Sequence, residues 1–158
     1  MEIKMHKEIY FKTINETFLP ISLGWMQDND FRVLIMANPI EKNDQQKWFD
    51  ELKFRKDYVI WGVMHRENWI GAFGVKGISN KNIRAEYWGY IYPESLRNVG
   101  IGRQMFIHCC NYAISQNIQK LWLKVHVNNV KAIRSYLKWG LVNMATSSSE
   151  ELHMNYNL

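Results

Sequence analysis

The feature that most constrains this chain is a glycine-containing turn between a predicted strand and a predicted helix. Its sequence is Arg97-Asn98-Val99-Gly100-Ile101-Gly102-Arg103. Glycines let the backbone turn tightly, and a helix N-terminus presents unpaired N–H groups at the positive end of its dipole. The turn therefore suits a pyrophosphate, with Arg97 and Arg103 adding charge, although an ordinary tight connection has the same pattern. It lacks the Gly-Lys-Ser/Thr of a Walker loop and the third glycine of a dinucleotide fingerprint.

Hydrophobic periodicity predicts an α/β (α+β) chain with a mixed, mostly antiparallel sheet of about seven strands and about four helices. The predicted strands cover residues 7–14, 58–64, 69–75, 84–92, 120–127, 141–145 and 152–156. The predicted helices cover residues 18–36 with a break near 27–30, a stretch beginning at 43 or 44, 100–116 and 130–139. Asn43 and Gln46 resemble a capping box, and Gly71 and Gly74 suggest a bulge or a close approach. A length of 158 residues predicts one domain over residues 1–158.

Charge and cysteine usage limit the classes of partner. The formal net charge is +5 with scattered Lys and Arg, which suits a polyanionic small ligand at least as well as nucleic acid. Nucleic-acid binding is a less favoured alternative. Cys109 and Cys110 are adjacent, so neither a disulfide nor a zinc site is predicted, and no metal is expected. Residues 1–10 lack the apolar core of a signal peptide, and no apolar stretch spans a membrane. We therefore expect a cytoplasmic protein without a membrane partner.

The glycine turn resembles the acetyl-CoA signature of the GNAT acetyltransferase superfamily, Arg/Gln-x-x-Gly-x-Gly/Ala, at every fixed position. A second block, from Asn129 through Ala132 and Tyr136 to Gly140, resembles that family's Asn-x-x-Ala-x-x-x-Tyr-x-x-x-Gly-Phe, with Leu141 replacing the Phe. The resemblance implies a sheet splayed between strands four and five and acetyl-CoA as cofactor. It implies the following cofactor-binding residues: Tyr92, Arg97, Asn98, Val99, Gly100, Ile101, Gly102, Arg103, Asn129 and Ala132.

Two side chains are the candidates for catalysis. The resemblance implies that Tyr136 protonates the leaving thiolate, and a phenol is a sensible general acid there; a core aromatic is the alternative. Glu86 is the candidate base, acting through water, because strand alternation places it on one face with Trp88 and Tyr90. A solvated glutamate paired with Arg84 or a lysine is the alternative for Glu86. His65 and His126 are weaker candidates.

The acceptor is expected to be a primary amine of a small molecule. The segment around Trp25 resembles two GNAT branches, one acting on nucleotide-linked amino sugars and one acetylating ribosomal-protein N-termini. The aromatic and basic composition favours the amino-sugar branch, with protein N-terminal acetylation as the alternative and a non-catalytic CoA-binding module as a second. The candidate substrate-binding residues are Trp25, Met26, Asn29, Trp88 and Tyr90. Edge strands near the C-terminus leave a homodimer open.

Overall fold

The computed structural model describes residues 8–79, 81, 83–144 and 148–158. The alternating apolar segments form one seven-stranded sheet with the order β1-β2-β3-β4-β5-β7-β6. Its strands are β1 Ile9–Lys12, β2 Tyr58–His65, β3 Asn68–Lys76, β4 Arg84–Ile91, β5 Lys120–His126, β6 Val142–Met144 and β7 Glu151–Asn157. Neighbours are antiparallel except β4 and β5, which are parallel. The predicted mixed, mostly antiparallel sheet of about seven strands is confirmed; residues 7 and 145–147 of the predicted end strands and loop lie outside the described residues.

Five α-helices lie within the described residues, one more than predicted, because the first predicted helix divides in two. They are α1 Phe18–Trp25, α2 Asn29–Ile35, α3 Lys42–Leu52, α4 Ile101–Ser115 and α5 Val130–Lys138. The predicted break near residues 27–30 is confirmed, since the Asp28 side chain caps α2 by accepting a hydrogen bond from the Phe31 N–H at 3.1 Å. The predicted capping box at Asn43 is wrong. Helix α3 begins one residue earlier, with Glu41 as an N-cap that makes no side-chain capping bond.

The glycines of β3 allow strands to approach closely. A Cβ atom on Gly71 would lie 2.2 Å from the Tyr90 carbonyl oxygen, and one on Gly74 would lie 2.2 Å from the Val59 carbonyl oxygen. Only glycine fits such positions without moving backbone. The predicted close approach is therefore confirmed, and the β2–β3 register also shifts between Val63 and Met64.

Side chains on the two faces of the sheet form two hydrophobic clusters. The α4-side core contains Phe73, Ala85, Tyr87, Met105, Cys109, Leu121 and Met154. The α1-side core contains Phe18, Trp25, Phe31, Trp69 and Ala72, with Trp88, Tyr90 and Tyr92 packed against it. The predicted alternation along β4 is confirmed, because successive residues enter opposite clusters. Among the described residues, no helix has the length and apolar character needed to cross a bilayer.

The sheet opens between its two parallel strands. The pairing of β4 with β5 covers only Arg84–Glu86 against Lys120–Trp122. Beyond these three pairs, no further register joins the two strands in the described part of the chain. We call the space between the remaining parts of β4 and β5 the strand gap. It matches the predicted splay between strands four and five.

Candidate active site

A cavity of about 300 Å³ occupies the strand gap. Its walls come from β4, β5, the end of α2 and the start of α5, which is the arrangement expected where two strands of one sheet separate. The lining residues are Met26, Leu34, Ile35, Met36, Ala37, Lys76, Glu86, Tyr87, Trp88, Gly89, Tyr90, Leu123, Lys124, Val125, Asn129 and Tyr136. The cavity thus brings together the two candidate catalytic side chains, one at each side of the gap.

The Glu86 carboxylate lies at the closed end of the gap and is 8% exposed. Lys76 stands directly opposite in β3, and its Nζ lies 3.2 Å from Glu86 Oε2. The lysine pairing that sequence analysis gave as the alternative is therefore present, but the pair lines the cavity. Lys76 was not among the predicted site residues, because its place opposite Glu86 depends on the β3–β4 register, which the sequence alone does not give.

The two histidines considered as bases lie elsewhere. His65 Nε2 is 3.4 Å from Glu8 at the far edge of the sheet. His126 Nδ1 accepts a hydrogen bond from the Asn128 N–H at 3.1 Å. Neither lines the cavity, so Glu86 is the one carboxylate in the cavity wall among the described residues.

Tyr136 projects from α5 into the same cavity. Its ring meets Trp139 edge-on, with centroids 5.2 Å apart, which fixes the ring against the helix. Desolvation by the surrounding protein raises the pKa of the Tyr136 phenol to about 12. The phenol therefore keeps its proton at neutral pH.

The glycine turn leads directly into the N-terminus of α4. Gly100 is the N-cap at φ 95°, and it makes no side-chain capping bond. The first bond of the helix is donated by the Gln104 N–H to the Gly100 carbonyl oxygen at 3.3 Å. Helix geometry therefore leaves the N–H groups of Ile101, Gly102 and Arg103 free for an outside acceptor.

Arg97 points away from the expected anion position. Its Nε donates to the Ile91 carbonyl oxygen at 2.7 Å, and a second guanidinium nitrogen donates to the Tyr92 carbonyl oxygen. Its Cζ also lies 5.7 Å from the centre of the Phe31 ring. The end of β4 lacks a partner strand on its β5 side, and Arg97 donates to the carbonyl oxygens there. Arg103, in contrast, is exposed on the first turn of α4.

The β4 amides that face the gap belong to Gly89 and Ile91, whereas the Tyr92 amide faces β3. The Tyr92 N–H donates to the Ile70 carbonyl oxygen at 2.8 Å, so this amide is already occupied. N–H groups alternate in direction along a strand paired on one side. The register that places Ile91 opposite Gly71 therefore turns the amides of Gly89 and Ile91 towards the gap. This alternation in N–H direction along β4 depends on the β3–β4 register, which the sequence alone does not give.

Asn129 has a structural role at the mouth of the gap. Its side-chain oxygen accepts a hydrogen bond from the Ala132 N–H at 3.4 Å and caps α5. Asn129 also lines the cavity, whereas Ala132 lies in the first turn of α5 behind it. The second sequence block thus positions α5, and through α5 the Tyr136 phenol.

The candidate acceptor-binding residues divide into two groups. Met26, Trp88 and Tyr90 line the cavity. Trp25 does not, because it is 7% exposed in the α1-side core and stacks on Tyr92 with ring centroids 5.6 Å apart. Asn29 is exposed, and its side-chain oxygen accepts a hydrogen bond from Arg32 at 3.1 Å. The structure does not bring Trp25 and Asn29 into the cavity wall.

Comparison with known proteins gives the following likenesses. The sequence profile of the Acetyltransferase (GNAT) family matches residues 24–141. A search of curated sequences gave no significant match. The structure resembles spermidine N-acetyltransferase of Vibrio cholerae, solved with CoA and spermine, at a TM-score of 0.86 and 17% identity over 96% of each chain. It also resembles Campylobacter jejuni N-acetyltransferase PseH at a TM-score of 0.72 and 18% identity, covering 95% of this chain and 98% of that one.

Proposed function

The chain belongs to the Acetyltransferase (GNAT) family, and on that premise we propose that it acetylates the amino group of a nucleotide-linked amino sugar. As a member of this family it is an acetyltransferase that uses acetyl-CoA. The observation that carries the proposal is the cavity in the strand gap, which is lined by a carboxylate, Glu86, and a protonated phenol, Tyr136. These are the two groups needed to accept and to supply a proton around a transfer to an amine.

The residues around the gap fit acetyl-CoA. The open N–H groups of Ile101, Gly102 and Arg103 suit its pyrophosphate, and the gap-facing amides of Gly89 and Ile91 suit the amide-bearing arm and the carbonyl at its end. Asn129 lies at the mouth of the gap. When bound, acetyl-CoA supplies the acetyl group as a thioester. The alternating direction of the β4 N–H groups favours Gly89 and Ile91 over Tyr92 as the donors to the thioester carbonyl.

We assign one catalytic role to Glu86 and one to Tyr136, because both side chains line the cavity. Glu86 takes a proton from the incoming amine through water, which leaves a neutral nucleophile. Lys76 Nζ lies 3.2 Å from Glu86 Oε2 and holds the carboxylate in the cavity wall. Tyr136 holds its proton at neutral pH and delivers it to the departing thiolate.

The charge of the cavity favours an anionic acceptor. Lys76 and Lys124 both line the cavity, and its one described carboxylate, Glu86, is already paired with Lys76. A polycationic acceptor would meet the ammonium group of Lys124 and no unpaired carboxylate of the cavity wall, which is unfavourable at close range. A diphosphate-bearing amine meets the opposite charge. Trp88 and Tyr90 in the wall suit the sugar ring, since carbohydrate faces pack on aromatic rings.

Two alternatives to the proposed function are distinguished by the experiment described below. A peptide N-terminus is the alternative acceptor, and a non-catalytic CoA-binding module is the second alternative. The presence of Glu86 and Tyr136 in one cavity supports catalysis over simple binding. A cytoplasmic location and a homodimer stay predictions.

The test is amine-dependent release of CoA thiol from acetyl-CoA with three separate pools. One pool holds nucleotide-linked amino sugars, the second polyamines, and the third short peptides with free N-termini. We expect release with the first pool. Release with polyamines or peptides alone would overturn the proposed acceptor and leave the family activity standing. Acetyl-CoA binding without turnover in any pool would favour the binding module.

A further inference from the structure

One face of the sheet beside Glu86 carries a cluster of cationic and aromatic side chains. In the register of the strands, Glu86 stands opposite Trp122, and Trp122 stands opposite Asn155. Lys124 stands opposite His153 on the next row. Side chains two residues apart share a face, so these groups and Arg84 lie on the same side of the sheet. We call Arg84, Lys120, Trp122, Lys124 and His153 the basic platform.

The Trp122 ring is held at the centre of this platform. The Arg84 guanidinium lies over it, with Cζ 4.7 Å from the ring centroid. The His153 ring lies on another side, at 5.2 Å between centroids and tilted by 49°. Trp122 is half-buried rather than covered. A large aromatic ring fixed by two neighbours and still reachable from solvent is a surface on which a flat ring can stack.

Part of the positive charge of the platform has no salt-bridge partner in the described protein. Within the described ranges, no salt bridge involves Arg84, Lys120 or Lys124, whereas Glu86 pairs with Lys76 and Glu151 pairs with His153 at 2.9 Å. Arg84 Nε is buried without a hydrogen-bond partner. Buried donors are nearly always satisfied, so the Arg84 guanidinium keeps donor capacity that the described protein does not use.

We infer that the basic platform binds the nucleoside diphosphate part of the acceptor. The base stacks beside Trp122, and Arg84 and Lys124 bind the phosphates. Lys124 belongs both to the platform and to the cavity wall, so the platform continues into the cavity where Glu86 receives the amine. One molecule can therefore place its diphosphate on the platform and its amino group at Glu86. This inference rests on the proposed function, and it adds the site that recognises the nucleotide.

The inference is tested by titrating UDP and dTDP, which carry no amine, into the protein by calorimetry. Saturating CoA is present throughout, so that its own nucleotide site is filled. Arg84→Gln and Lys124→Gln are each expected to weaken binding about tenfold, or about 1.4 kcal/mol, because each removes a charge-assisted hydrogen bond. Trp122→Leu should weaken it as well. Lys47→Gln is the matched control, because Lys47 is an exposed lysine on α3.

Kinetics separates this inference from the proposed function. In the turnover assay, Lys124→Gln should raise KM for a nucleotide-linked amino sugar and leave KM for acetyl-CoA unchanged. Absence of UDP and dTDP binding to the unaltered protein, or equal affinity in the three variants and the control, would overturn the platform even if amino sugars are acetylated. Nucleotide binding that depends on the platform without acetylation of any amino sugar would retain the platform and overturn the proposed acceptor.

Discussion

The guanidinium Nε of Arg97 lies 2.7 Å from the carbonyl oxygen of Ile91, so the arginine of the glycine turn holds the end of β4. This bond and its companion to Tyr92 connect the strand to the turn that opens α4. The N-terminus of α4 therefore depends on Arg97 for its position, and the positive charge of Arg97 has a structural use.

Replacing Arg97 tests this role. Arg97→Ala should lower the free energy of unfolding by about 2 kcal/mol, because bonds from a charged donor contribute about 1.5–3 kcal/mol. Thermal or urea unfolding measures the change. Arg134→Ala, which removes an exposed arginine of α5, should unfold nearly as the unaltered protein does. An Arg97→Ala protein of unchanged stability but lost CoA affinity would show that the side chain contacts the cofactor instead.

Removal of the Tyr136 hydroxyl tests the general acid. Tyr136→Phe should lower kcat about 100-fold or more, within the range of general acid catalysis, while acetyl-CoA affinity stays within about twofold of that of the unaltered protein, far below one tenfold step. The ring still packs on Trp139, so the fold is kept. Steady-state rates and direct titration of acetyl-CoA measure the two effects. Full activity in this variant contradicts the assignment.

Replacing the Glu86 carboxylate by an amide should lower kcat by a factor that depends on pH. Glu86→Gln should lower kcat at pH 7 by about 100-fold, and the loss should shrink at high pH, where the amine has already lost its proton. Initial rates from pH 6 to 10 give the comparison. Glu67→Gln, at the exposed turn between β2 and β3, is the control. A constant ratio of variant to unaltered rate across this range would mean that Glu86 does not receive the proton.

Alkaline pH should destabilise the protein through its enclosed tyrosines. Burial raises the pKa of Tyr136 to about 12 and raises that of Tyr90 as well. The folded state then keeps protons that the unfolded state loses above about pH 10, so stability is full below pH 10 and falls as pH rises towards 12. One such phenol contributes at most about 1.4 kcal/mol per pH unit. Melting temperatures at pH 8 to 11 should decline, and less steeply in Tyr136→Phe; a flat profile would speak against enclosure of these phenols.

Two glycines offer opposite outcomes for the same substitution. Gly71→Ala should destabilise strongly, since its Cβ would lie 2.2 Å from a backbone oxygen of Tyr90. Gly24→Ala in α1 meets no atom within 4 Å and should stabilise by about 0.5–1 kcal/mol, the difference in helix propensity. Unfolding midpoints measure both. Equal behaviour of the two variants would mean that the strand contact at Gly71 relaxes easily.

The elements were predictable because periodicity and turn residues are local properties. The break near Asp28 and the two faces of β4 follow from residues within one turn or one strand. Details that depend on distant partners were not predictable. The Lys76–Glu86 pair and the occupied Tyr92 amide require the strand register, and the burial of Trp25 requires knowing that Tyr92 lies beneath it. Arg97 was predicted to add charge beside the pyrophosphate, because the sequence does not show that its side chain points to the carbonyl oxygens at the end of β4.

The short pairing of β4 with β5 also affects where hydrogen bonds of the sheet open locally. Within the described residues, the strand register joins the two halves of the sheet over only three residue pairs, next to a hydrogen bond from the Gln119 N–H to the Ile83 carbonyl oxygen. The side chains of the α4-side core carry the rest of the connection. Amides such as Gly89 and Ile91 border this line without a partner strand. In deuterated solvent they should exchange before their neighbours on β3, and protection there should rise when a ligand fills the space. Within the sheet, we therefore expect the folded chain to open first at the border of the gap.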